Sequence, residues 1–369
     1  MPLTFPQTDY KPGYLNFDPN LLRKWRKALA QVRAGTGFAK LACYGDSTTR
    51  GTGAGTGGSL NVDGQANGYP RRLADMLNSY FIPARHSAVW GGGWGSGGSD
   101  ARLSMGAGWA ISGANGFNAL GGATLSNNST TNVLSFTPTG QFDTCVVWYG
   151  RQTSKGTFNL DIDGGSATSV ATAGVTATLS QTKTASLGTH TVNITPTTIG
   201  QGIDIVGIDC YNSAAPDVRV WNCGRSGAIA SDLALAGNAI QSLTVLQTVA
   251  PDLTVLNIGI NDMVAATSQS SYQASINAII TGARVTGDIV LMVPTPIDPG
   301  NATQDLQNQF RAWLLDLAKS NSAPLIDMSA RWINYSAANT DGLMGNGNHP
   351  SALGYADEAA AIANLIARP

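Results

Sequence analysis

A serine, a histidine and two potential hydrogen-bond donors stand at places where acyl transfer could use them. Ser47 lies in Gly45-Asp46-Ser47-Thr48-Thr49-Arg50-Gly51, just past the largely apolar run Phe38–Tyr44. That run reads as a buried strand ending at Gly45, which permits a tight turn that presents the serine. At a strand-to-helix junction an alkoxide can also be stabilised by helix N-terminal amides. A serine needs a base with a pKa near neutral, and imidazole is the usual one. The chain offers 3 histidines, His86, His190 and His349. His86 opens a strand-like run and His190 sits among short β-like segments, where a structural role suffices. His349 occupies Gly345-Asn-Gly-Asn-His-Pro-Ser351, a loop fixed by the following proline and placed before the last helical stretch. Donors for a developing oxyanion are available at Gly227, in Asn222-Cys-Gly-Arg-Ser-Gly227, and at Asn261, in Gly259-Ile-Asn-Asp262. Asp262 reads as a cap preparing the next helix.

These positions become meaningful through the elements around them. Asp18 as N-cap, Pro19 at the first helical position and the apolar spacing Leu21, Leu22, Trp25, Leu29, Val32 predict a first helix ending before Gly35. After a Gly-rich loop at 51–68, Tyr69–Phe81 has helical spacing through Leu73, Met76 and Leu77. From 108 to 216 the texture changes to short alternating runs: Val133–Phe136, Cys145–Tyr149, Phe158–Ile162, Thr191–Ile194 and Ile203–Tyr211. Regular short strands separated by turn signals predict an inserted antiparallel β-sandwich. Val218–Trp221, Leu253–Ile258, Ile289–Val293 and Pro324–Ile326 then alternate with helical stretches near 230–247, 271–285, 303–319 and 352–367. Alternation of this kind predicts a parallel sheet covered by helices on both faces. Reactive loops gather beyond the carboxyl ends of such strands, and Ser47, Gly227 and Asn261 all follow strand ends.

Composition narrows the classes. With 369 residues the chain exceeds one compact domain. A formal net charge of -1, with 12% charged residues and no Lys/Arg run, argues against nucleic-acid binding. The 43% hydrophobic content argues against disorder. The 4 cysteines, Cys43, Cys145, Cys210 and Cys223, lack CxxC spacing, so they read as buried free thiols and predict no zinc site. No run approaches a membrane span, and MPLTFPQTDY shows no basic and apolar export signal. The Gly/Ser/Thr-rich, Lys-poor composition nevertheless suits work outside a cell or on a particle.

Taken in order, the four blocks resemble those of the SGNH/GDSL hydrolase superfamily: Gly-Asp-Ser, a glycine after the second strand, Gly-x-Asn-Asp, and His-Pro near the C-terminus. The resemblance covers roughly residues 15–107 and 217–369. It implies a flavodoxin-like three-layer α/β/α fold for a discontinuous catalytic domain at 1–107 and 217–369, with 108–216 as the insert. It further implies Ser47 as nucleophile, His349 as base, and Gly227, Asn261 and the Ser47 amide as oxyanion donors, with no metal or cofactor. The family usually carries Asp three residues before the histidine, whereas Asn346 stands here. Asn346 can orient the ring through a carbonyl oxygen, Asp341 can reach in from the longer loop, or the site is weakened.

Trp90 and Trp94, with Trp109 beyond them, are candidate aromatic platforms for a sugar, or else pack the domain junction. With the β-insert, the family analogy favours an acylated carbohydrate as substrate and removal of acetyl groups from a polysaccharide, in a bacterial or bacteriophage setting. Two other readings remain open: a thioesterase or lysophospholipase-like esterase, and a carbohydrate-binding module with a degenerate active site. Oligomeric state is left open by the sequence.

Overall fold

The structure is a computed structural model that describes residues 13–16, 18–55, 66–91, 100–112 and 119–367. Five parallel strands form its centre: β1 (Ala39–Gly45), β2 (Val218–Gly224), β3 (Leu253–Asn257), β4 (Asp288–Val293) and β5 (Leu325–Asp327). Their spatial order is β5-β4-β3-β1-β2. Tyr14–Leu15 adds an antiparallel edge beside β5, and Ala84–Arg85 a parallel edge beside β2.

Side chains alternate between two buried faces, as a period of two requires. Leu41 and Cys43 of β1 face one apolar cluster with Trp25, Leu29, Leu73 and Ile362. Ala42 and Tyr44 face another with Leu246, Ile276, Ile280 and Phe310. Both faces are therefore covered by helices, which explains why these strands read as continuous apolar runs. Three layers result, as the flavodoxin-like reading implies.

The first helix shows how local signals translate. Asp18 accepts from the Asn20 amide (2.8 Å) and caps a 3₁₀ turn, Pro19–Leu22, that leads into the helix Arg23–Arg33. The stretch predicted as one helix at 230–247 is instead two, α1 (Ala230–Leu233) and α2 (Ser242–Val249). Gly237-Asn238 interrupts it, and the Asn238 side chain accepts from the Ile240 amide (3.0 Å), a local bond that competes with helix.

Two antiparallel sheets pack as a sandwich between β1 and β2 in the sequence. One orders Thr168–Ala171, Thr157–Ile162, Val192–Pro196, Leu134–Phe136 and Leu103–Met105. The other orders Ala177–Gly188, Phe142–Arg151, Ile203–Tyr211, Thr124–Asn127 and Trp109–Ser112, with Ala88–Trp90 also paired to Ile203–Tyr211. The sheets thus draw on two strands that precede residue 108. Between them lies a separate apolar core including Phe136, Val147, Phe158, Ile194 and Ile205. Fully burying each such side chain contributes roughly 1.5–3 kcal/mol. Cys145 and Cys210 of this core are buried and free, as are Cys43 and Cys223 of the α/β part.

Candidate active site

Strand register brings the candidate residues to one edge. Gly45 is paired with Gly224 on one side and with Asn257 on the other, so β1, β2 and β3 end level. Ser47, Gly227 and Asn261 follow within two to four residues of those ends, as expected for chemistry beyond the carboxyl edge. Gly45 is required by crowding: a Cβ there would overlap the Asn257 carbonyl and the Thr49 hydroxyl. Asp46 then caps the short helical turn Ser47–Arg50, accepting from the Thr48 amide (2.9 Å) and hydroxyl (2.8 Å). Ser47 is held as the first residue of that turn, 5% exposed.

His349 reaches Ser47 from the far end of the chain. Its Nε2 lies 2.8 Å from the Ser47 Oγ, within the distance for general-base proton transfer. The ring's tautomer follows from its other contact. Asn346 Oδ1 accepts from the backbone amides of Asn348 (2.9 Å) and His349 (3.0 Å), and it lies 3.0 Å from His349 Nδ1. An atom that accepts two amide hydrogens is the oxygen of the carboxamide, so Nδ1 carries the proton and donates to it. Nε2 is thereby left as an acceptor for the serine hydroxyl. Burial disfavours the imidazolium and pushes the His349 pKa down to about 4.

Asp341 does not join this group. It ends the helix Tyr335–Thr340, its amide donates to Ala337 O (3.0 Å), and its side chain is exposed. Asp341→Ala is expected to leave kcat for an ester substrate within about twofold of the unaltered enzyme, as for a surface change away from the reacting groups. A steady-state assay checks this, and a loss of tenfold or more would return Asp341 to the site.

The two donor loops are tied to each other. Asn261 Nδ2 donates to Ala228 O (2.8 Å), fixing which way the carboxamide faces while leaving its second N–H. Gly227 is exposed, with φ of 80°, and nothing lies within 4 Å of where a Cβ would be. Glycine is favoured there by its left-handed backbone alone. Asp262 does not cap its own helix. It is buried, and its Oδ2 accepts from the Ala230 amide (2.9 Å), at the start of α1. Burial pushes its carboxyl up to about 6, and Asp46, buried beside the nucleophile, is raised by the same cause to about 6.

Trp90 is placed elsewhere. It is 2% exposed, its ring is 5.0 Å from that of Trp221 and 6.5 Å from that of Trp148, and Gly207 lies beneath it. With both faces covered it packs the junction between sheet and sandwich and has no surface to offer a sugar. Trp109 is likewise in the sandwich core, its Nε1 donating to Asn132 O (2.7 Å). Trp94 lies outside the described residues.

Several supporting contacts carried no sequence signal. Tyr355 Oη donates to Thr52 O (2.6 Å), joining the last helix, Ala352–Ile366, to the loop after Ser47. The segment after β4 braces the histidine loop: the Asp298 amide donates to Gly347 O (2.7 Å), and Asn301 Nδ2 to Asn348 Oδ1 (2.7 Å). Among the described residues no cluster of His, Cys, Asp or Glu has the arrangement to hold a metal ion, and no helix is long and apolar enough to cross a membrane.

Residues 208–356 match the family model of the GDSL-like lipase/acylhydrolase family. That span holds Gly227, Asn261, Asn346 and His349. No protein of curated function matches the sequence. Among solved structures the chain is similar to a peptidoglycan O-acetylesterase at 17% identity, covering 93% of this chain and 96% of that one, with a TM-score of 0.66. At that identity the likeness establishes the shared fold. A family two carbohydrate esterase from Cellvibrio japonicus is matched more loosely, at 11% identity over 76% of this chain and 98% of that one, with a TM-score of 0.31.

Proposed function

We propose that this chain, whose residues 208–356 match the GDSL-like acylhydrolase family model, is a serine esterase that removes short acyl groups, acetyl above all, from a carbohydrate or polysaccharide. The observation that carries the reading is the contact between Ser47 Oγ and His349 Nε2, 2.8 Å, with the ring held in the base form by Asn346. Ser47 Oγ attacks the ester carbonyl carbon while its proton passes to His349 Nε2. Negative charge on the carbonyl oxygen is met by the amides of Ser47 and Gly227 and by Asn261 Nδ2. Collapse expels the alcohol, which takes the proton from His349. Water, deprotonated by His349 in turn, releases the acid from the acyl-enzyme and restores Ser47.

The preference for small acyl groups rests on analogy with the peptidoglycan O-acetylesterase whose fold this chain shares. Comparing p-nitrophenyl acetate with the octanoate tests the acyl preference. The rate is expected to fall by about 10²-fold or more with the longer chain, a difference of the size that a pocket too small for the added methylenes imposes. Equal or better octanoate turnover would turn the assignment to a lysophospholipase-like esterase. An acetate-release screen over acetylated polysaccharides then identifies the alcohol.

A further inference from the structure

The β-insert reaches the loop that carries Gly227. Arg225, two residues before that glycine, is 6% exposed. Its backbone amide donates to Gly45 O (2.9 Å), at the end of the nucleophile strand, and its carbonyl accepts from the Ala228 amide (3.3 Å). Its side chain runs the other way, and its Nη1 donates to the carbonyl of Gly122 in the insert. The fit is close: a Cβ on Gly122, which has φ of +73°, would overlap the Arg225 methylenes.

The segment 119–123 that receives Arg225 is itself anchored. The Ala119 amide donates to Ile240 O (2.7 Å), Ser242 Oγ donates to Ala119 O (2.9 Å), and the Gly122 amide donates to Ala119 O (3.1 Å). Ala119 and Leu120 share one apolar cluster with Ala228, Ala230 and Leu233. Residues 225–230 are thus gripped from three directions. Gly45 holds the start of the loop, Asn261 and Asp262 hold Ala228 and Ala230, and the insert holds the Arg225 side chain.

We propose that the inserted sandwich buttresses the oxyanion loop, with Arg225 as the positioning residue that joins the two. The proposal rests on the esterase reading, in which the Gly227 amide faces the developing charge. Gly227 is exposed and glycine is the most permissive residue, so the direction of its N–H is set by what holds its neighbours. Arginine suits the task because its planar fork reaches a carbonyl across a junction while its methylenes fill the gap beneath Gly122. The insert is then part of the catalytic apparatus, whatever it binds on its outer surfaces.

The test uses Arg225→Lys and Gly122→Ala in the full chain. The first keeps the charge and most of the stem but loses the fork, and the second presses on Arg225 from the insert. Steady-state hydrolysis of p-nitrophenyl acetate is measured with inhibition by a trifluoromethyl ketone, which forms a tetrahedral adduct on the serine and reads the oxyanion donors. Both variants are expected to lose about 10²-fold in kcat with KM little changed, the cost of misplacing a donor by about 1 Å. Inhibitor affinity should fall in step with kcat/KM. In Arg225→Lys the melting temperature should hardly change, whereas in Gly122→Ala, strained at its positive φ, it should fall. Unaltered kcat and inhibitor affinity, a loss that appears only in KM, or a loss in Arg225→Lys that appears only with a lowered melting temperature, would overturn the proposal. If Gly122→Ala does not fold, Arg225→Lys decides alone. Absence of Ser47-dependent turnover in the unaltered chain would instead overturn the esterase reading, and this inference with it.

Discussion

Ser47→Ala is expected to lower kcat on acetyl esters by about 10⁴-fold or more, with KM nearly unchanged. The substitution removes one oxygen, and the surrounding structure loses little by it. Asp46 still caps the turn through Thr48, and the Ser47 carbonyl still accepts from the amides of Gly51 and Thr52. Among the described residues, only the bond to His349 Nε2 disappears. Residual turnover then comes from the oxyanion donors acting on a bound ester attacked by water, which in other serine hydrolases is a small remnant of the whole. The experiment also separates the enzyme from its main rival. A carbohydrate-binding module with a degenerate site would show the same slow background hydrolysis with and without the Ser47 hydroxyl. Equal rates in the two proteins would abandon the esterase assignment.

The parts of this architecture that were legible in the sequence are those fixed by short-range patterns. Buried parallel strands announce themselves as apolar runs, and glycine and polar residues at their ends mark the edge where the loops gather. Ser47, Gly227 and Asn261 follow three strands that end level, so a one-dimensional order maps onto one location. The sandwich was legible wherever its strands alternate against the core. Ala177–Gly188 was not, because its residues Ser180, Thr182, Thr184 and Ser186 are exposed and its other face is only half buried, leaving no apolar period. The sequence leaves Trp90 open because a tryptophan beside a glycine-rich stretch is equally suited to a surface platform and to a junction, and only packing against Trp148 and Trp221 decides for the junction. Arg225 carried no signal at all, since its partner Gly122 lies 103 residues away and contributes only a backbone carbonyl. Contacts of that kind are written in the fold rather than in a motif.

The second large effect concerns Asn346, where a neutral amide occupies the place the resemblance reserves for a carboxylate. Asn346→Asp is expected to raise kcat/KM on acetyl esters, by about 10-fold to 10²-fold, and to move the acid limb of the pH profile upward. The geometry is already suited to the change. Asn346 Oδ1 accepts three hydrogens, from the amides of Asn348 and His349 and from His349 Nδ1, and a carboxylate oxygen in its place accepts the same three. What is added is a negative charge about 3.0 Å from the ring, next to the imidazolium that forms as Ser47 attacks. In the present site burial alone acts on His349, and its pKa of about 4 means the ring is neutral through most of the working range. Activity should therefore fall only as the pH drops through about 4, when the base becomes protonated.

An adjacent carboxylate favours the charged ring and raises such a pKa by about 1–3 units, so the acid limb should climb toward about 5–7. The gain is set well below the roughly 10⁴-fold lost when a buried triad aspartate is neutralised. Asn346 is exposed here, and water screens a charge at that position. Profiles of kcat/KM against pH for the two proteins, measured with one acetyl ester, check both parts together. An unmoved acid limb would mean that residue 346 does not govern the ring. A raised limb with an unchanged plateau rate would mean that stabilising the imidazolium is not what limits catalysis. If both rise, the neutral amide is the reason the base stays active to unusually low pH, and a lower maximal rate is the consequence of the same substitution.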